Sequence, residues 1–486
     1  MIFARALRSL LVLCGLCAVL FAFAACSHDD SSSGGGENTS RKITVAVVLP
    51  ASGEQNTRFR RVADWYLSTL KGALIDSEFS APFTLALEWY DEDNIDLAAT
   101  AETLSKREDV FAVIGPRYSD HVQVFAEQCF LTKKPLLAPC AASESIIRSF
   151  AMNAASSSHS EPFLWALTES DVSQTEALLA KVAAYGGKKV AVISSADIYG
   201  KTFFDWAPYI ASELKLELVQ NVRYTSANMG STAGTEAGTA AVALDSAAQT
   251  VLSSGADYVL CALSSYKDAE AILSVREQMG DSAPRLLFTD TAFTADFLKA
   301  YGDKAEGVEG TAPYADPTSG FAVSYEVRFN EKPAVGEAHF YDALLMCGFA
   351  AAYCIKNEDA TPFSNKAAND ALKSSVGKSA ESKPIWSLLG MMFAFVAIDK
   401  NIMPGINGAT GLLDFDAETL TSALHTVYTH WTVAEGAFAP LDYTSTDGSG
   451  RTVSHRASWE WNVYVDESSL EESAGANIAY TEVTSR

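Results

Sequence analysis

Residues 109–143 read DVFAVIGPRYSDHVQVFAEQCFLTKKPLLAPCAAS, and the fold class follows from their pattern. Two short apolar runs, 110–114 and 135–138, each end in a loop of small and hydroxylated residues. Between them Val122, Phe125, Ala126, Cys129 and Phe130 recur at helical spacing, so the stretch reads strand, loop, helix, strand, loop. That is a β-α-β unit. In open α/β sheets ligands sit beyond the carboxyl ends of the strands, which puts the loops 115–119 and 139–143 on one site. Their hydroxyls and free backbone N–H groups suit a small anion such as a carboxylate.

The same alternation runs outward in both directions. Upstream, ITVAVVLP is a β-branched run ended by Pro50, and Phe59, Ala63, Leu67, Leu70 and Leu74 form one helical stripe after it. A strand at 83–91 and a helix at 97–106 lead into the central unit. Downstream of a Ser/Ala-rich break at 151–160, Ser170-Asp171 opens a helix, and strand 189–194 ends in the loop Ala196-Asp197-Ile198-Tyr199-Gly200. Alternating strands and helices to Thr289 argue for a second parallel, doubly wound layer. The Gly/Thr-rich stretch between Thr225 and Ala241 reads as a surface insertion. Beyond Gly310 two helices, 320–330 and 340–357, precede the turn NGATGLLDF at 407–415 and a strand at 428–434 with the turn Glu435-Gly436. Trp459, Trp461, Val463 and Val465 alternate as an added edge strand, with a sugar-stacking platform as the competing reading. Past Asp466 the tail is polar.

At 486 residues the chain exceeds one comfortable core, so two domains are expected. Its formal charge of −24, with no offsetting basic stripe, argues against nucleic acid as a partner. Residues 1–25 carry Arg5 and Arg8 and then an uncharged apolar run from Leu10 to Ala25, the pattern of a signal peptide rather than a membrane span. Phe23-Ala24-Ala25-Cys26 resembles a bacterial lipobox, which implies a diacylglycerol thioether on Cys26 and a membrane anchor; ordinary secretory cleavage is the alternative. Residues 26–41 are a Ser/Gly-rich tether whose acidic start resembles the surface-export tag of some Bacteroidetes lipoproteins, set against periplasmic retention. The pair Cys14-x-x-Cys17 lies in the cleaved segment, so its redox-motif spacing is a false positive. Cys129, Cys140, Cys261, Cys347 and Cys354 lack metal-ligand spacing and read as buried free thiols, and no cofactor is expected.

Taken together, VAVVLPASG, VIGPRYS, KPLLAPCAAS, KKVAVISSADIYG, EGVEGTAPYADP, FYDALLMCGFAAAY and GATGLLDFD resemble the type I periplasmic binding proteins, the Leu/Ile/Val-binding-protein family of ABC-transporter receptors, in order and spacing. The resemblance implies an α/β fold of two doubly wound, Rossmann-like parallel-sheet lobes joined by a three-stranded hinge. It places lobe I at 42–168 plus 313–411, lobe II at 169–312 plus 412–466, and a polar tail at 467–486. It implies a solute held between the lobes, which close around it, and no bond chemistry.

Carried onto this sequence, the family's ligand site falls on Tyr118 and Ser119, on Cys140, Ala141 and Ser143, and in the second lobe on Tyr199 and Asp290. Ser119, Ser143 and backbone N–H groups would meet an α-carboxylate, Asp290 an α-ammonium, and Tyr199 would supply a wall and a hydroxyl. Ser119 and Ser143 also read as helix N-caps, and Asp290 as a solvated loop acid. Arg117 departs from the pattern and is left open between a second acidic group on the solute and solvent. Ser264 stands where related amino-acid binders carry an aromatic residue. An enzyme is disfavoured: there is no G-x-S-x-G, H-E-x-x-H, Walker-type or G-x-G-x-x-G motif, and His425 and His430 are not at i, i+4 spacing. The expectation is a lipid-anchored receptor of the cell envelope, facing the periplasm or cell surface, that passes an amino acid or similar small polar solute to an ABC permease. Its rival is a ligand-free envelope scaffold or regulatory lipoprotein acting through surface contacts.

Overall fold

The computed structural model describes residues 41–50, 53–227, 241–357, 362–376, 384–415, 419–446, 460–465 and 480–484. The signal-peptide and Cys26 expectations, and the core of the 225–241 insertion, lie outside them. The β-branched run becomes β1 (Arg41–Leu49), buried from Ile43 onward. A strand buried on both faces in a parallel sheet needs such an unbroken apolar run. Helix α1 (Gly53–Asp76), β2 (Phe83–Asp91), α2 (Leu97–Lys106), β3 (Val110–Ile114), α3 (Ser119–Thr132), β4 (Leu136–Ala138), α4 (Glu144–Phe150) and β5 (Leu164–Ala166) follow. The five strands form one sheet in the order β2-β1-β3-β4-β5, every pair parallel. Alternate β1 residues feed opposite cores: Val45, Val47 and Leu49 pack with one set of helices, Ala46 and Val48 with the other. The first lobe is therefore doubly wound.

The second layer begins with α5 (Asp171–Ala184), β6 (Lys189–Ser195), α6 (Ile198–Glu213), β7 (Glu217–Thr225), β8 (Val242–Ala243), α7 (Leu244–Leu252), β9 (Tyr258–Ala262) and α8 (Ala269–Met279). It continues through β10 (Arg285–Phe288), α9 (Ala295–Tyr301) and β11 (Glu309–Pro313). Four helices return to the first lobe: α10 (Phe321–Phe329), α11 (Glu337–Asn357), α12 (Asn365–Lys373) and α13 (Leu388–Asp399). By length and composition α11 is apolar enough to cross a membrane, yet almost all of it is buried in the core against α1. The short hairpin β12 (Asn407–Gly408) and β13 (Gly411–Leu412) precedes β14 (Val427–Ala434), β15 (Ala437–Thr446), β16 (Glu460–Val465) and β17 (Tyr480–Thr484).

These strands complete a ten-stranded sheet in the order β17-β16-β15-β14-β11-β10-β9-β6-β7-β8. Its six strands β6 to β11 are parallel, and from β14 on each new strand is antiparallel. The switch falls at the β11–β14 pair, and Glu435 and Gly436 then shape the β14–β15 hairpin. Both have positive φ, 54° and 72°, between the directly paired Ala434 and Ala437. A two-residue hairpin loop with that backbone twist matches the twist of its strands. The Trp461 strand is not an edge: it lies between β15 and β17. Part of the polar tail forms that last strand, because ladder bonds use main-chain groups that every non-proline residue has.

Three passages of chain connect the lobes side by side. The Glu169 amide donates to Thr426 Oγ1 at 2.7 Å, the Tyr314 amide to the Val427 carbonyl at 2.8 Å, and the Ala423 amide to the Ala166 carbonyl at 2.9 Å. Ile406, Ala409, Leu413, Phe415 and Leu420 still belong to the first lobe's core, so the last passage lies at about 423–427. All five described cysteines are free thiols.

Candidate functional site

Four strand-end loops converge where the lobes meet: 115–119 after β3, 139–143 after β4, 196–198 after β6, and the turn Asp290–Ala292 after β10. Contacts across the seam join them. The Ile198 amide donates to Asp120 Oδ1 at 3.2 Å, and the Ser143 hydroxyl donates to the Ile198 carbonyl at 3.0 Å. The Glu144 amide donates to Thr202 Oγ1 at 3.2 Å.

The 115–119 loop is held from below by Glu92, at the end of β2. Its buried carboxylate accepts the amides of Arg117 at 2.9 and 3.0 Å and of Tyr118 at 3.1 Å, and it meets His121 Nδ1 at 2.8 Å. Burial pushes the Glu92 carboxyl above the usual range, against the opposing pull of His121 and the backbone amides. Gly115 makes the approach possible. At φ +98° a Cβ there would sit 1.9 Å from the Val48 carbonyl oxygen. Ser119, buried, is the first residue of α3 rather than its cap; Tyr118 occupies the cap position and is 38% exposed.

Ser143 does stand at the N-cap position of α4, but its side chain makes no cap bond and is spent on Ile198 across the seam. Cys140 rests against Gly336, and burial pushes its thiol up to about 12, which leaves no thiolate for nucleophilic chemistry near neutral pH. Ala141 is buried beside it. On the opposite lobe the Tyr199 hydroxyl donates to Asp290 Oδ1 at 2.7 Å, and the Tyr199 ring meets the edge of Phe203. Asp197 holds that turn by accepting from the Gly200 amide at 2.7 Å and the Ser195 hydroxyl at 2.6 Å. Half-buried Asp290 faces the seam: burial raises its pKa, while the Tyr199 bond and the charge of Arg117 work against that rise.

A family model described as periplasmic binding protein matches residues 42–374. The chain belongs to the periplasmic binding protein family. No curated protein matches its sequence. Among solved structures it is similar to a leucine-binding protein from Thermotoga maritima, at 17% identity and a TM-score of 0.59 over 82% of this chain and 98% of that one. A branched-chain amino-acid-binding protein from Streptococcus pneumoniae, solved with isoleucine, gives 16%, 0.58, 82% and 99%. A solute-binding protein from Rhodopseudomonas palustris, solved with benzoate, gives 13%, 0.57, 82% and 95%. At these identities the likeness is one of fold, and the fold is the two-lobed type I architecture.

Family resemblance omitted several groups that this periplasmic binding protein brings to the seam. Arg117 is the foremost. Its guanidinium makes no hydrogen bond or ion pair with any described side chain; it lies 5.8 Å from the Tyr118 ring centre and feels the charges of Cys140, Asp290 and Glu92. Asp171, the first residue of α5, is only 6% exposed, and its Oδ2 is buried with no hydrogen-bond partner. Gln174 donates to the Thr311 carbonyl at 3.0 Å and lies beside Asp290. In sequence Asp171 reads simply as a helix-opening acid, and Ser170 is indeed the cap, accepting from the Val172 amide. Ser264 turns its hydroxyl to Asp268 at 3.3 Å.

Beyond the seam loops, a cavity of about 370 Å³ opens between α4 and α6, with Glu144, Arg148, Lys201 and Trp206 in its wall. Another, about 190 Å³, is walled by Arg58, Phe293, Tyr314, Phe438 and Tyr443. Neither cavity is lined by any of the family's ligand positions. Across the seam a positive charge on one lobe, Arg117, is set against a hydroxyl-backed carboxylate on the other, Asp290.

Proposed function

We propose that this protein is a lipid-anchored extracytoplasmic receptor that captures an amino acid or similar small polar solute between its lobes by hinge closure and presents it to an ABC permease. One observation carries the reading: Asp290, with the Tyr199 hydroxyl upon it, lies within the field of Arg117, whose guanidinium makes no hydrogen bond or ion pair among the described residues. A solute's carboxylate on Arg117 and the 115–119 amides, and its ammonium on Asp290, would bridge the lobes and so favour the closed form. The relatives solved with isoleucine and with benzoate support a carboxylate-bearing solute. Cys26 would carry the lipid that keeps the receptor at the membrane.

The test is a thermal-shift and calorimetric screen of the mature protein against amino acids, short peptides, amides, sugars and aromatic acids. One class is expected to stabilise it, with affinity near micromolar, about −8 kcal/mol. Asp290→Ala is expected to weaken an ammonium-bearing solute tenfold or more, since a buried cation loses its partner. Unchanged affinity would remove Asp290 from the site. Mass spectrometry of the membrane fraction checks the anchor: a Cys26 without acyl chains would reject it. The scaffold reading draws on Ser143, whose hydroxyl is committed to Ile198 instead of standing free for a guest. A panel in which no solute stabilises the protein would favour that reading.

A further inference from the structure

The polar groups around the seam are not all matched, and the mismatch bears on the solute. Arg117 is the basic side chain there without an ion-pair or hydrogen-bond partner among the described residues. Arg148 is paired with Glu144, Lys201 with Asp205, and Arg223 donates to the Asp197 carbonyl. Most acids are likewise answered: Glu92 by three contacts from the 115–121 segment, Asp120 by the Ile198 amide, and Asp197 by Ser195 and Gly200. Two carboxylates remain. Asp290 receives only neutral donors, the Tyr199 hydroxyl and the Gln174 side chain, and Asp171 receives nothing on its buried Oδ2.

The surroundings of Asp171 sharpen the point. The charges that act on it are those of Asp290, Glu144 and Asp197, all of its own sign. Within a turn, the Ser173 hydroxyl and Gln174 Oε1 are also buried without partners, as is Thr168 Oγ1 before the helix. Buried polar groups left unmatched in such number point to a partner supplied from outside the chain, and Asp171 Oδ2 and Gln174 Oε1 can take only a donor unless the carboxyl is protonated. A neutral zwitterion would answer Arg117 and Asp290 and leave the buried Asp171 carboxyl with an oxygen still unmatched. A solute with one carboxylate and two cationic groups answers all three.

We infer that the seam selects cationic amino acids, with Asp171 and Asp290 sharing the positive groups and Arg117 taking the carboxylate. This rests on the solute-receptor reading above and narrows its substrate class. Burial and like-signed neighbours hold the Asp171 carboxyl well above the usual range, so it ionises when the cation arrives and a proton leaves the protein.

Calorimetry of the full mature protein with lysine, arginine, leucine and benzoate tests the inference. Lysine or arginine is expected to bind at least tenfold more tightly than leucine, with proton release seen as a dependence of the heat on buffer ionisation enthalpy. Asp171→Asn, nearly the same shape, is expected to lower the lysine-to-leucine affinity ratio tenfold or more. Leucine binding as tightly as lysine overturns the inference and leaves the receptor standing. So does an Asp171→Asn protein that loses affinity for both equally. If no solute of the wider panel binds, the receptor reading and the inference fall together.

Discussion

His339 shows what burial does to a single titratable group. It lies inside α11, about 1% exposed, with Nδ1 unpartnered, and desolvation lowers its pKa from 6.5 to about 3. The folded state therefore holds this ring neutral while the unfolded chain takes up a proton below pH 6.5. Between pH 6.5 and 3 stability should fall as pH falls, by at most about 1.4 kcal/mol per unit from this group. His339→Gln is expected to flatten that limb of the stability curve in urea denaturation at stepped pH. An equally steep limb in the variant would assign the acid sensitivity elsewhere. Glu92 is the opposite case, a buried acid whose value lies in its acceptors. Glu92→Ala strands two backbone amides and His121, and is expected to lower stability by about 2–4 kcal/mol in chemical denaturation. It should also weaken solute binding, because the 115–119 loop loses its support.

Among the elements, the start of α11 is where the site and the core meet. Gly336 has φ +82°, and a Cβ on it would lie 2.3 Å from Cys140 Sγ. Gly336→Ala is thus strained twice, by its backbone and by the thiol, and is expected to cost about 1–3 kcal/mol in thermal unfolding. Cys140→Ala should recover part of that loss but not all, since it relieves the contact and leaves the φ. A double-mutant cycle with no coupling would show that the helix moves away instead. Helix α6 makes the converse point, because its cap carries functional geometry. Asp197 fixes the turn that aims Tyr199 at Asp290, so a loss at the cap is felt at the seam.

For the molecule as a whole, the seam contacts set how firmly the lobes close. Ser143 to Ile198, Ile198 to Asp120 and Glu144 to Thr202 are polar bonds that exist only with the lobes together. Ser143→Ala is expected to shift the population toward an open form, seen as a larger radius of gyration in small-angle scattering without solute. Saturating solute should restore the compact value. Binding at a hundredfold excess over Kd should add about 2.7 kcal/mol of stability by mass action alone. A radius that stays the same in Ser143→Ala would mean these bonds follow closure and do not hold it. The hinge itself should be indifferent to this substitution, since its bonds join main-chain passages near Glu169, Tyr314 and Val427.

Much of this architecture is written locally. The apolar run of β1, the β-α-β unit at 109–143 and the turn Glu435-Gly436 each carry their own periodicity or backbone preference, which is why strands, helices and the layered fold class can be read directly. The loops at the strand ends are legible for the same reason. Where they meet is not. Tyr199 and Asp290 are 91 residues apart and touch at 2.7 Å, while Ser143, which reads as a cap or a ligand donor, spends its hydroxyl on the other lobe. Arg117 and Asp171 look in sequence like a loop base and a helix-opening acid. Their lack of partners becomes visible only when two sheets bring their carboxyl ends face to face. Hydrophobic periodicity records which side of an element is buried; the pairing of polar groups across a seam depends on long chain closures, and those exist only in three dimensions.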